Sequence, residues 1–256
     1  MPSSLGWDEG FLIMYDSYAP IYRLINQGAW SERMARWTIG WLRERGVTHG
    51  RVIDWGCGDG AAGVVFAQAG WAVTGIDRSE RMIQLARARD SRIDWRGGDL
   101  TQGADVAPGT LATAFYDTLN YLPSIVALRA GWRTLAASVT HGGYIVADVN
   151  TPYEYASGWN DRYVITADTD DALVLNRLRY DPAPQLAQGR IIWFAREGHS
   201  DVWQRGEETH TQRAHTDEEM VAAIAAAGLR LIARLTPQGK PPTLTATRLI
   251  YIARKG

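Results

Sequence analysis

A single cysteine, Cys57, stands in a chain of 256 residues. No intrachain disulfide can form, so the fold has to rest on its own packing. No stretch approaches ~18 consecutive apolar residues, so no segment has the pattern of a membrane-spanning helix. The opening Met-Pro-Ser-Ser-Leu-Gly-Trp-Asp-Glu-Gly lacks the basic region and apolar run of a leader peptide. The expectation is a cytoplasmic protein with no membrane role. Excess charge is missing too: 27 Lys and Arg face 28 Asp and Glu, for a formal net charge of −1. That balance leaves no basic footprint and argues against nucleic acid as the main partner. No internal repeat and no low-complexity tract interrupts the chain, and no metal site is expected. Tryptophan is abundant by contrast, with eleven residues, most of them expected to pack.

The informative stretch is Val52-Ile53-Asp54-Trp55-Gly56-Cys57-Gly58-Asp59-Gly60, followed by a strand ending Thr-Gly-Ile-Asp77. An apolar strand runs into a glycine-rich turn and a helix, and a carboxylate waits at the tip of the next strand. Glycines let a backbone approach a ligand closely. Asp77 is placed to accept hydrogen bonds from two ribose hydroxyls, so the pattern describes a nucleoside-cofactor site in an α/β fold. Gly58-Asp59-Gly60-Ala61-Ala62-Gly63 also satisfies the dinucleotide fingerprint, with Asp77 at about its ~20-residue spacing. A nicotinamide-dependent oxidoreductase is therefore one reading. Against it, Asp54 and Asp59 flank the turn, where they would repel a pyrophosphate and attract a cationic group.

Strands are expected at 51–55, 72–76, 92–96, 111–116 and 142–148, alternating with helices near 60–69, after a Ser79 cap, and near 124–138. Such alternation argues a doubly wound parallel sheet with helices on both faces. Trp30, Met34, Trp37 and Trp41 recur at helical spacing and mark one apolar face of an earlier helix. From 153 to 215 helical periodicity is lost. Short strands broken by Asp, Pro and Gly suggest an antiparallel insertion. Thr216-Asp-Glu-Glu219 spells a capping box, and strands at 229–235 and 247–253 close the chain. The organisation is thus a helical segment at 1–50, a core at 51–152 and 216–256, and the insertion at 153–215.

The string Asp54-x-Gly56-Cys57-Gly58-x-Gly60 resembles the first motif of the class I S-adenosylmethionine-dependent methyltransferases. The chain as a whole resembles their small-molecule branch, including sugar-amine N-methyltransferases. In the tyrosine-rich opening, Tyr15, Asp16, Ala19 and Tyr22 match that branch, with Arg23 where it has an acidic residue. The resemblance implies a seven-stranded, mostly parallel sheet and S-adenosylmethionine as cofactor, leaving S-adenosylhomocysteine. It implies that Tyr15 and Tyr22 close the cofactor pocket and that Asp54 helps hold the α-amino group. Gly56, Cys57, Gly58 and Gly60 wrap the methionine part, Cys57 through its backbone. Asp77 takes the ribose, with Arg78 and Met82 beside the adenine, and Asp99 and Leu100 meet the adenine edge. Tyr116 and Asp117, in the Tyr-Asp-Thr-Leu-Asn-Tyr motif, lie beside the transferring methyl. Asn-Pro-Pro-Tyr, common in amino-methylating nucleic-acid enzymes, is absent, as is a paired-cysteine arrangement for base methylation.

The implied activity is transfer of a methyl group to nitrogen or oxygen of a small molecule. Candidates for a general base are Asp117, His210 and the Tyr15 hydroxyl. The insertion is expected to cover the acceptor, with Tyr153, Tyr155, Trp159, Trp193, Trp203 and His210 walling its pocket. The other readings of the insertion are a homodimer interface or a plain cap. His215 reads as a surface residue before the helix cap. A non-catalytic module that binds the cofactor is the remaining alternative.

Overall fold

The computed structural model describes residue 15, residues 17–198 and residues 200–256; Asp16, of the tyrosine segment, lies outside them. A short helix α1 (Ala19–Leu24) and the longer α2 (Ala29–Arg43) come first. Then follow β1 (Arg51–Trp55), α3 (Ala61–Gln68), β2 (Ala72–Asp77), α4 (Glu80–Arg89), β3 (Asp94–Gly97), β4 (Gly109–Ala114), α5 (Ile125–Ala137) and β5 (Val139–Asn150). Helix starts obey local chemistry. The Ser79 hydroxyl accepts the Met82 N–H at the head of α4, and Ser124 accepts from Ala127 at the head of α5. Next come α6 (Pro152–Gly158), β6 (Arg162–Asp168), β7 (Ala172–Asp181), β8 (Leu186–Arg196) and β9 (Trp203–Arg213). The chain ends with α7 (Asp217–Ala226), β10 (Leu229–Leu235) and β11 (Arg248–Lys255). The Thr216–Glu219 capping box forms at α7 as its spelling requires.

The main sheet has seven strands in the order β3-β2-β1-β4-β5-β11-β10. Neighbouring strands from β3 to β5 run parallel, and β11 lies antiparallel to both β5 and β10. Strand order reverses between β1 and β4, which is where this architecture opens a crevice at the strand C-termini. The expected α/β class, a mostly parallel seven-stranded sheet with a separate antiparallel one, is the fold observed. Alternation along β1 sends Ile53 and Trp55 to one face, against Leu128, Trp132 and Met220. Val52 points to the other face with Leu42, Phe66 and Ile250. Each such fully buried side chain contributes roughly 1.5–3 kcal/mol.

β6, β7, β8 and β9 form a second, wholly antiparallel sheet. Its inner residues Val174, Ile191 and Trp193 pack on Tyr18, Ile21, Tyr22 and Met82. The second sheet therefore closes over α1, and α1 over α4. One sequence expectation needs correction. Residues 153–158 lie in a helix, α6, not in extended chain. Thr151 caps it through the Glu154 N–H and Pro152 occupies its first turn. Seven residues are too few to print a helical period.

Candidate active site

β1 ends at Trp55 and the chain turns through Gly56 and Gly58 with φ of 66° and 54°. A Cβ on Gly56 would lie 2.2 Å from the Thr118 hydroxyl, so only glycine lets the two loops meet. A Cβ on Gly58 would meet nothing within 4 Å: this part of the loop faces open space. That space is a cavity of about 510 Å³ above the strand C-termini. The size is ordinary for a site that takes a small organic ligand.

Asp77, at the tip of β2, lines the cavity and clasps the loop beneath it. Its two oxygens accept the Gly58 and Ser79 N–H groups, each at 2.9 Å. Burial raises its pKa, against the pull of those two N–H groups and of Arg78. Tyr15, Tyr22, Gly56, Cys57, Gly58, Arg78, Met82, Asp99, Leu100 and Tyr116 line the same cavity. Asp99 is fixed by Thr101, whose N–H and hydroxyl both reach its Oδ1 at 2.7 Å. Gly60 is not on the wall. It starts α3, with Trp95 packed against it.

Asp54 lies beneath the loop, 2 % exposed. Its Oδ1 accepts the Thr113 hydroxyl at 2.6 Å, and its Oδ2 is buried without a partner among the described residues. Burial lifts its pKa to about 7; the Thr113 bond works against this, and the neighbouring Asp77 charge adds to it.

Tyr116 and Asp117 both hold a positive φ, 52° and 70°. The fold fixes this local conformation from behind. The Tyr116 N–H donates to Asp148 Oδ1 at 2.9 Å, and Arg248 reaches Asp117 Oδ1 at 2.6 Å. Arg248 also donates to Asp148 and, at 2.7 Å, to Asn150, between the rings of Trp30 and Tyr116. Asp117 is thus turned toward a buried arginine, and its side chain is not on the cavity wall. Its neighbours Tyr116 and Thr118 are.

His210 is buried at 4 % exposure and sits one residue behind the wall. Its Nδ1 is 2.8 Å from the Tyr121 hydroxyl, and its Nε2 is 2.8 Å from Glu208 Oε1. Tyr121 lines the cavity and meets the Tyr15 hydroxyl at 2.9 Å. Tyr121, Thr118, Ser31 and Glu208 were not among the sequence candidates. Glu208 had a signal: two residues before His210 on a strand, it must share that residue's face.

Other placements differ from the sequence expectations. No described residue of 153–215 lines this cavity. Trp193 packs on Tyr18 and Tyr22, and Tyr155 meets Trp159 edge-on and stacks with Tyr180. Tyr153 and Trp203 are each 41 % exposed. None of these aromatics of the insertion walls this cavity. His215 is not on the surface but 1 % exposed. Its Nε2 donates to the Leu119 and Leu122 carbonyls at 3.1 and 3.0 Å, while Arg213 donates to its Nδ1 at 2.7 Å. It props the turn that carries Tyr121. Burial, joined by the Arg213 charge, lowers its pKa to about 4, so it is neutral at physiological pH. Among the described residues, no group of three or more His, Cys, Asp or Glu is placed to hold a metal, and no helix is long and apolar enough to cross a membrane.

Residues 52–143 match the profile of a methyltransferase domain. A protein of Geobacillus sp. strain WCH70, provisionally named a methyltransferase, is 24 % identical over 212 residues, 80 % of this chain and 84 % of its own. An S-adenosylmethionine-dependent methyltransferase of Clostridium acetobutylicum superposes with a TM-score of 0.81 at 20 % identity, over 94 % of this chain and 99 % of its own. CalS10 of Micromonospora echinaspora, an amino pentose methyltransferase solved with S-adenosylmethionine bound, gives 0.74 at 21 % identity, over 95 % and 98 %. At such identities the two solved structures speak for the fold.

Proposed function

Since the chain is an S-adenosylmethionine-dependent methyltransferase, we propose that it moves the methyl group to a nitrogen or oxygen of a small molecule. One observation carries this reading. The glycine loop with Asp77 and the hydroxyl-bearing residues Tyr15, Ser31, Thr118 and Tyr121 line one cavity at the strand C-termini. Gathered in one cavity, these groups place a cofactor and a small acceptor side by side. The likeness to CalS10, named an amino pentose methyltransferase, supports the same class of acceptor.

The residues present suit the cofactor. The open side of Gly58 leaves room for its methionine part, and the unpartnered Asp54 oxygen beneath the loop suits an ammonium group. Asp77 is the group for the ribose hydroxyls, Asp99 and Leu100 for the adenine edge, with Arg78 and Met82 beside it. When bound, the cofactor supplies a methyl group already activated on a sulfonium. What remains for the protein is alignment. Holding two reactants in attack geometry lowers a barrier by up to ~7–11 kcal/mol. Tyr15 and Tyr22, set edge-on to one another, line the cavity with Tyr116 and are the rings to exclude water and orient the acceptor. The preferred base also changes. Asp117 already pairs with Arg248, so the Tyr15 hydroxyl, backed by His210, takes its place.

The test is to incubate the protein with S-adenosylmethionine and a pool of small amines, phenols and alcohols. S-adenosylhomocysteine should form, and one compound should gain the mass of a methylene group. Calorimetric binding of S-adenosylmethionine with no turnover of any pool member would refute the small-molecule reading and leave a binding module.

A further inference from the structure

The hydroxyls of Tyr15 and Tyr121 are the outer end of a hydrogen-bonded series. It runs from Tyr15 Oη to Tyr121 Oη at 2.9 Å, to His210 Nδ1 at 2.8 Å, and from His210 Nε2 to Glu208 Oε1 at 2.8 Å. The two outer members line the cavity; the two inner ones do not. The direction of every bond follows from the inner end. Glu208 also accepts the backbone N–H groups of Tyr15, Ser17 and Tyr18 and the Ser17 hydroxyl. Burial pushes its pKa up, but the His210 bond and charge and the Tyr15 and Tyr18 N–H groups together bring it below the ordinary value. Glu208 is therefore ionised and only accepts, which makes His210 Nε2 a donor. In neutral imidazole Nδ1 is then a bare acceptor, and it takes the one proton of Tyr121. Tyr121 has none left for Tyr15, so Tyr15 donates to Tyr121. The lone pairs of Tyr15 Oη are left for whatever occupies the cavity.

We propose that Tyr15, Tyr121, His210 and Glu208 form a one-way proton path that deprotonates the methyl acceptor, an ammonium or hydroxyl compound. The inference rests on the methyl-transfer reading of the same cavity. The acceptor's proton passes to Tyr15 Oη, the proton of Tyr15 passes to Tyr121, and that of Tyr121 passes to His210 Nδ1. Three O–H or N–H bonds break and three form. The electron pair freed on the acceptor bonds the methyl carbon as the sulfur–carbon bond breaks, and that bond's pair stays on sulfur. S-adenosylhomocysteine and the methylated acceptor result, and His210 returns its proton to water after product leaves.

Burial holds the phenols of both Tyr15 and Tyr121 above their ordinary pKa, so neither ionises by itself near neutral pH. They pass a proton on, and the imidazole is where it rests. The groups that face the path are these. Glu208 touches the imidazole, the ring edges of Tyr15, Tyr18 and Tyr121 surround it, and Tyr22, Tyr116 and Asp117 act on the two phenols. Tyr15 and Tyr121 touch substrate. His210 and Glu208 act through them, and Glu208 is a positioning residue twice over, since it also ties the backbone at Tyr15, Ser17 and Tyr18 to β9.

The experiment has two arms on the full chain. The first needs no acceptor. Nitrogen NMR of the labelled histidines should show His210 protonated on Nε2 and bare on Nδ1, with that preference lost in Glu208→Gln. The opposite tautomer in the wild type would overturn the path. The second arm uses the amine or hydroxyl compound that turns over in the acceptor pool. Tyr121→Phe and His210→Gln should lower kcat on the order of 10²–10⁴-fold. The deficit should shrink as pH rises and the acceptor loses its proton to water. Glu208→Gln, which keeps a hydrogen-bond acceptor, should lose less. The Kd for S-adenosylmethionine should change less than about threefold throughout. Full kcat in folded Tyr121→Phe and His210→Gln would sink the path. Failure of the wild type to bind S-adenosylmethionine would instead remove the functional reading beneath it.

Discussion

Asp54→Asn isolates a buried carboxyl group beneath the glycine loop. Asp54 is buried, one of its oxygens has no partner, and its pKa rises to about 7 from an ordinary 3.8. The folded protein therefore binds this proton more tightly than the unfolded chain does. The stabilisation from Asp54 is fully present below about pH 4 and is lost as pH rises through about 7. The gap is roughly three pH units, and at about 1.4 kcal/mol each the ionised carboxylate costs the fold up to about 4 kcal/mol at pH 8. Asparagine keeps the shape and an oxygen for Thr113 but carries no charge. The difference in unfolding free energy between variant and wild type should grow by about 2–4 kcal/mol in favour of asparagine from pH 5 to pH 8. Urea titrations at pH 5, 6, 7 and 8 on both proteins measure it. Asp77 and Asp148, also raised by burial, remain in both proteins and largely cancel. A cation beside Asp54 reverses the penalty. S-adenosylmethionine should therefore bind the wild type more tightly from pH 6 to pH 8, releasing a proton, and this trend should flatten in the variant. Parallel stability curves for the two proteins would refute the reasoning, since they would mean that Asp54 is already ionised or already solvated in the fold.

Asp77→Ala should weaken S-adenosylmethionine binding, with each lost charge-assisted bond worth on the order of 1.5–3 kcal/mol before water compensates; calorimetry on the folded variant measures it. Arg248→Met leaves Asp117 and Asp148 buried without their cation and should cost about 3–5 kcal/mol in a denaturant melt. Adding Asp117→Asn and Asp148→Asn to it should recover part of that loss. His215, with its pKa lowered to about 4, should destabilise the fold as pH falls from about 6.5 toward 4, because the unfolded chain takes the proton first. His215→Gln should remove that share of the slope in acid melts. Trp203→Ala, at a half-exposed position away from the cavity, should leave kcat and cofactor affinity unchanged and alter stability by no more than ~0.5 kcal/mol. A shift toward monomer in sedimentation would mark that end of the second sheet as a contact between copies.

The first motif was legible because its logic is local. A strand, a glycine turn, a helix and a carboxylate some twenty residues on are set by nearest neighbours and by chain period. The Thr216–Glu219 box likewise caps its helix through an N–H group three residues away. The sheet class followed from alternation alone, and Asp77 came to the cavity because it ends β2. Partners chosen across the fold were not legible. Asp117 sits in a motif that reads as a site carboxylate, yet Arg248, on the last strand, turns it away from the cavity. His215 reads as a surface residue and is buried under the Leu119–Leu122 turn. The aromatics of the insertion promised a pocket wall, but none of them lines the cavity, and Glu208 and His210 are the residues through which that sheet reaches the site. Glu208 meets Tyr15 across 193 residues of chain. Sequence period tells which way a side chain leaves its own strand or helix. What it meets there depends on how two sheets and the opening helices pack, and that packing is settled by burying all their apolar faces at once.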